Sequence, residues 1–92
     1  MTNIKENTKQ NDVHSHIDKA FKIIDEYLPG TYVNKVQTVL GETHPEITAG
    51  MIRNVRHRIS EYPISRIEIV NALVEVALNH KSELEKLKKI TA

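Results

Sequence analysis

Apolar residues recur at the spacing of an α-helix in four successive stretches of the chain. In the first three stretches they fall every three or four residues, and in the fourth they form a dense run over residues 67–78. The positions in the first three are Ile17, Phe21, Ile24 and Leu28; Val33, Val36 and Leu40; and Ile52, Val55 and Ile59. No alternation typical of a β-strand lasts long enough to predict a sheet. The pattern predicts an all-α fold, a compact bundle of four helices with a long C-terminal helix.

Capping and helix-breaking residues indicate where the first two helices begin and end. Ser15 is a suitable cap for the first helix, and the Pro-Gly pair at 29–30 ends it. Thr31 predicts the start of the second helix, and Gly41 predicts its end.

The third and fourth helices have signals of the same kind. Thr48 is an N-cap residue for a third helix over residues 48–59, and Pro63 prevents this helix from continuing. Ser65 and Glu68 have the spacing of a capping box, which predicts that the fourth helix begins at Ser65.

The length of 92 residues allows one domain with a modest core. That core has to be mainly aliphatic, because the chain has one Phe, three Tyr and no Trp. Residues 1–12 are polar and lack periodicity, which predicts a disordered N-terminal tail before a single domain at residues 13–92. The last turns of the C-terminal helix are mostly charged and are expected to extend outward.

Positive charge is concentrated in one short segment, although the net charge is only +1. Residues 1–46 carry five Lys against seven acidic residues, a balance of −2, and residues 67–92 balance four Lys against four Glu. Residues 47–66 carry four Arg against one Glu, a balance of +3. An arginine patch is the expected footprint of a phosphate-rich partner, although a solvated helix face has the same composition. Because solvated helices usually mix charges of both signs, and residues 47–60 contain no acid, the pattern favours the phosphate-rich partner.

The third predicted helix carries side chains suited to DNA on the face opposite its apolar stripe. On a helical wheel of about 100° per residue, that face holds Gly50, Arg53, Asn54 and His57. Arginine forms paired hydrogen bonds with guanine, asparagine forms them with adenine, and glycine allows a close approach of the backbone. Arg56 and Arg58 flank the apolar stripe, where contact with phosphates is the expected role.

The same segment resembles a known family. The run VNKVQTVLG, followed after a loop by ITAGMIRNVRHRI, is similar to the helix-turn-helix of the phage-repressor and LacI-like superfamily. The matching positions are Val36, Leu40 and Gly41 before the turn, Ile47 and Thr48 at the start of the recognition helix, and Ile52 and Val55 on its core side. The connection carries five additional residues, 42–46.

The resemblance implies a short regulator of the kind found in phages and mobile elements, with its recognition helix in the major groove. The family's base-contacting positions fall on Ala49, Gly50, Arg53 and Asn54. The remaining candidate residues, which support the helix or touch the DNA backbone, are Thr48, Arg56, His57 and Arg58.

Several other functions are disfavoured by what the chain contains. It has no Cys, no catalytic motif, and only the pair His14 and His16 at a close spacing, too few ligands for a metal site. A polar N-terminus and the lack of an apolar run near 18 residues predict neither a signal peptide nor a membrane span. We therefore expect a cytoplasmic protein that is not an enzyme, with no cofactor, no metal, no membrane partner and no small-molecule substrate.

The end of the C-terminal helix leaves two interpretations open. Leu84 lies seven residues after Ala77, and Leu87 lies seven after His80, so this helix either extends a dimer seam or packs on its own domain and then frays. The main functional hypothesis is a sequence-specific transcriptional regulator that binds double-stranded DNA, as a monomer or a homodimer. The alternative is a protein-interaction module, antitoxin-like or a phage accessory protein, which docks a partner through this helix.

Overall fold

The computed structural model describes the backbone of residues 2–41, 43–59 and 62–92, and the side chains of residues 13–41, 43–59, 63 and 65–92. Helices occupy α1 (Thr2–Tyr27), α2 (Tyr32–Leu40), α3 (Ala49–Arg56), α4 (Tyr62–Ser65) and α5 (Ile67–Thr91). No strand occurs in these parts of the chain. The predicted all-α class is confirmed, with four helices of eight residues or more, a four-residue helix α4, and a long C-terminal helix.

The beginning of α1 differs from the sequence prediction, whereas its end agrees. The helix begins at Thr2 and not near Ser15, so the predicted start is wrong. No Pro or Gly precedes Pro29, so nothing in the sequence stops a helical backbone from extending beyond the part that packs on the core. Whether residues 1–12 form a tail outside a domain at 13–92 stays a prediction. The helix ends at Tyr27, before the Pro-Gly pair, as expected.

The core is aliphatic and centres on α5, which packs against each of the other four helices. The predicted stripes supply the buried side chains of α1 and α2. In α3 the first two residues of the predicted stripe, Ile52 and Val55, are buried. The buried residues are Phe21, Ile24, Val36, Leu40, Ile47, Ile52, Val55, Ile69, Val70, Ala72, Leu73, Val76 and Ala77. Because α5 buries residues on more than one side, it holds α1, α2 and α3 in fixed positions around it.

The connection between α2 and α3 is a hydrogen-bonded turn. Gly41 has φ 22°, and its N–H donates to the carbonyl of Gln37 at 2.7 Å. A β-carbon at Gly41 would lie 2.9 Å from the carbonyl oxygen of Thr38, so glycine is required here. The N–H groups of Thr43 and His44 both donate to the Leu40 carbonyl at 3.0 Å. With Ile47 buried after this turn, the longer connection still packs α3 against α2.

The start of α5 lies one residue later than the capping box predicted. Its N-cap residue is Arg66, not Ser65, and the Arg66 side chain makes no capping hydrogen bond. Pro63 is instead the second residue of the separate helix α4. Proline is favoured in the first turn of a helix because the N–H that it lacks has no partner there. The predicted boundary is therefore wrong, and Glu68 accepts a hydrogen bond from Arg66 at 3.4 Å.

Candidate nucleic-acid interface

The N-terminus of α3 is fixed by the residue that the sequence predicts. Thr48 has an extended backbone, with φ −95° and ψ 163°, and its hydroxyl oxygen accepts a hydrogen bond from the N–H of Met51 at 3.2 Å. This is the geometry of a side-chain N-cap. Ala49 is half-buried at the first helical position, and Gly50 is exposed at the second.

Two fully buried residues anchor α3 and determine which of its faces reaches solvent. Ile52 and Val55 have no exposed surface and belong to the core. On the other side of the helix, Arg53 and Gly50 are exposed, and Asn54 is half-buried. The predicted polar face is therefore accessible, and the residues predicted to contact bases all lie in the one helix α3.

The C-terminal end of α3 corrects the predicted span of 48–59. The helix ends at Arg56, with His57 as its exposed cap residue. Arg58 has φ 56°, in the left-handed region. Its N–H donates to the Val55 carbonyl at 3.0 Å, and the N–H of Ile59 donates to the Asn54 carbonyl at 2.9 Å. These two bonds are those of a Schellman motif, with arginine at the position where glycine is usual.

Ile59 is consequently not the third residue of the buried stripe. The left-handed backbone at Arg58 turns the chain away from the helix axis, so the seven-residue spacing from Ile52 no longer places Ile59 on the core side. Its side chain is 49% exposed, which makes the predicted burial wrong.

Arg56 and Arg58 meet on one carboxylate of α1. An Nη1 group of Arg56 donates to Oδ1 of Asp25 at 2.8 Å, and an Nη2 group of Arg58 donates to Oδ2 at 2.7 Å. The Arg58 guanidinium also lies over the ring of Phe21, 4.2 Å from its centroid. The sequence analysis expected these arginines to contact phosphates. In the structure both of them donate hydrogen bonds to Asp25 of α1.

The pairing with arginine keeps Asp25 charged. Its hydrogen bond from Arg58 is the main cause that holds the pKa of the carboxyl below its ordinary value of 3.8, with the positive charges of Arg58 and Arg56 adding to it. Burial acts in the opposite direction but does not reverse the shift. Asp25 is therefore an anion near neutral pH, and the cluster of one carboxylate and two guanidiniums has a formal charge of +1.

Asp25 and Phe21 are the residues that the sequence prediction missed in this region. Their spacing of four residues on α1 places them on one face, but the arginine partners are more than thirty positions away in sequence. No local pattern connects such distant residues. The one available signal is that α3 and its C-terminal turn hold three arginines and no acid, so a carboxylate that balances them has to come from another helix.

A cleft of 270 Å³ lies away from this surface, between α2, α5 and Pro29. Lys35 and Glu83 line it with opposite charges, and Val76 contributes apolar surface. His80, which also lines it, donates from Nδ1 to the backbone carbonyl of Tyr27 at 2.7 Å and thereby joins α5 to the end of α1. None of the residues that line the cleft belongs to the cluster of Asp25, Arg56 and Arg58.

Metal and membrane sites are not found in the described residues. No three His, Asp or Glu side chains there come together as a metal site would require. Among the same residues, no helix has the length and apolar character needed to cross a bilayer.

Comparison with known proteins adds no relative. The chain matches no family model, no curated protein and no solved structure.

Proposed function

We propose that the chain is a sequence-specific transcriptional regulator that inserts α3 into the major groove of double-stranded DNA. The observation that carries this proposal is an accessible polar face on α3, in which Gly50 and Arg53 are exposed and Asn54 is half-buried. The opposite side of the helix is fully buried. A rigidly anchored helix presents its side chains in a fixed register, which base recognition requires. As a helix-turn-helix, the protein would use α2 and the 41–48 turn to support α3.

The exposed residues of α3 fall into two roles under this proposal. Arg53 and Asn54 would contact base edges, and Ala49 with Gly50 would let the backbone approach them. No hydrogen bond or ion pair within the described structure holds the Arg53 guanidinium, so its donors are available to a ligand. The residues assigned to support or phosphate contact are Thr48, Arg56, His57 and Arg58. Such a protein would act in the cytoplasm, on DNA.

A second candidate function rests on the end of α5. Leu87 and Ile90 are 55% and 75% exposed, although both are large apolar side chains. They follow His80, which marks where α1 ends beside α5. This surface fits a protein-interaction module that docks a partner, or a homodimer seam that would accompany DNA binding and favour a palindromic site.

Selection from random double-stranded oligonucleotides, followed by a salt titration of the selected duplex, tests the first function. We expect enrichment of one sequence and a linear fall of the logarithm of affinity with the logarithm of salt concentration. For about three phosphate contacts the slope would be about −2.7, which weakens binding about 40-fold between about 50 and 200 mM salt.

The same titration separates the two candidate functions. Docking through the apolar side chains Leu87 and Ile90 would tolerate salt, and a partner would then be captured from a nuclease-treated lysate in the absence of DNA. Equal affinity for every duplex sequence would contradict the proposed base recognition, even if the salt dependence were steep.

A further inference from the structure

We propose that Asp25 is a positioning residue that holds Arg56 and Arg58 ready to bind a DNA phosphate at the C-terminal end of α3. This inference rests on the proposed DNA-binding function. It assigns a positive role to an acidic residue that simple charge considerations would treat as unfavourable near DNA.

The geometry leaves both arginines able to bind a second anion. Each guanidinium has five N–H donors, and the contact with Asp25 uses an Nη group of each. Asp25 and Arg58 remain about half exposed, and Arg56 is one quarter exposed. The remaining donors therefore have access to solvent, where a phosphate oxygen would approach the net positive charge of the cluster.

Arg58 is held more tightly than an ordinary surface arginine. Its backbone is fixed by the Schellman motif at the end of α3, its guanidinium lies over Phe21, and its Nη2 group bonds Asp25. Two contacts thus restrict the side chain, and the motif fixes the backbone that carries it. A free arginine loses much rotamer freedom when it binds a phosphate, and an arginine already held in place loses less.

Two opposing effects of Asp25 on DNA binding can be compared. Its negative charge repels a nearby phosphate, but water and salt screen charges at this degree of exposure. Its hydrogen bonds restrict two arginine side chains at once, which lowers the entropy cost of two phosphate contacts. We infer that the second effect is larger, so removal of this negative charge weakens binding.

The test compares Asp25→Asn with Glu26→Gln. Both variants remove one negative charge from adjacent positions of α1, but Glu26 is exposed and makes no ion pair in the described structure. Binding of the selected duplex is measured by fluorescence polarisation at fixed salt, and thermal unfolding confirms that both variants are folded. We expect Asp25→Asn to bind about fivefold more weakly than the unchanged protein, and Glu26→Gln to bind equally well or up to about twofold more tightly.

A measurement of base preference shows whether Asp25 positions the arginines or merely keeps α3 in place. A phosphate contact contributes equally to all sequences, so Asp25→Asn should weaken the selected and a mismatched duplex by the same factor. A loss confined to the selected duplex would show that α3 has moved, and would overturn the inference. Tighter binding by Asp25→Asn would also overturn it while leaving the DNA-binding proposal intact. If the unchanged protein binds no duplex, both proposals fail.

Discussion

Replacing Ile52 with alanine is expected to lower the free energy of unfolding by about 2–5 kcal/mol. The side chain is fully buried between α3 and the rest of the core, and its loss leaves a cavity that the surrounding helices can only partly fill. A domain of this size has a total stability of about 5–15 kcal/mol, so the variant should unfold at a clearly lower temperature and urea concentration.

The matched control is the same substitution at Ile59. Periodicity alone places Ile52 and Ile59 on one buried stripe and predicts similar losses for both. In the structure α3 ends before Ile59, and that side chain is 49% exposed, so Ile59→Ala should cost less than about 1 kcal/mol.

Urea unfolding followed by circular dichroism measures both variants. If Ile52→Ala does not fold, Ile52→Val should still show a loss of about 0.5–1.5 kcal/mol. Equal losses at the two positions would mean that α3 continues through Arg58 and that the structural account of its C-terminal turn is wrong.

The features that could be predicted from the sequence depend on neighbouring residues. The buried stripes of α1 and α2 follow from spacings of three and four residues, and the threonine cap of α3 follows from the position of Thr48 before an apolar repeat. The end of α2 follows from Gly41, because the backbone there excludes other residues. In each case the physical cause and the sequence signal lie within one or two helical turns.

The features that could not be predicted depend on backbone strain or on distant contacts. A left-handed residue after a helix is normally glycine, so Arg58 gives no signal that α3 stops beside it. That conformation is accompanied by the contacts of Arg58 with Phe21 and Asp25, which come from another helix. The start of α1 was missed for a different reason, because apolar periodicity reports packing and not the extent of a helical backbone.

The same distinction between local and distant causes applies to the candidate site. The exposure of Gly50 and Arg53 could be predicted, since it follows from the burial of Ile52 on the opposite side of one helix. The involvement of Arg56 and Arg58 with Asp25 could not. The correction matters for function, because Arg56 and Arg58 share a carboxylate, whereas Arg53 has no ion-pair partner among the described residues.

This difference makes Arg53 the most informative position for DNA recognition. Arg53→Ala is expected to weaken binding to the selected duplex by about 1–3 kcal/mol and to relax the base preference at one position. The side chain is exposed and has no partner in the described structure, so its removal should leave the stability of the domain nearly unchanged. Competition between the selected duplex and single-base variants measures both the affinity and the preference.

Two control variants distinguish base contact from loss of charge. Lys88→Ala removes one positive charge from the exposed end of α5, far along the chain from α3, and should leave base preference unchanged. Arg53→Lys keeps the charge but loses the planar pair of donors that bonds guanine, so it should also relax the preference. If Arg53→Lys instead retained full preference and Arg53→Ala weakened every duplex equally, Arg53 would be a phosphate contact. Base recognition by α3 would then have to depend on Asn54 and the backbone near Gly50.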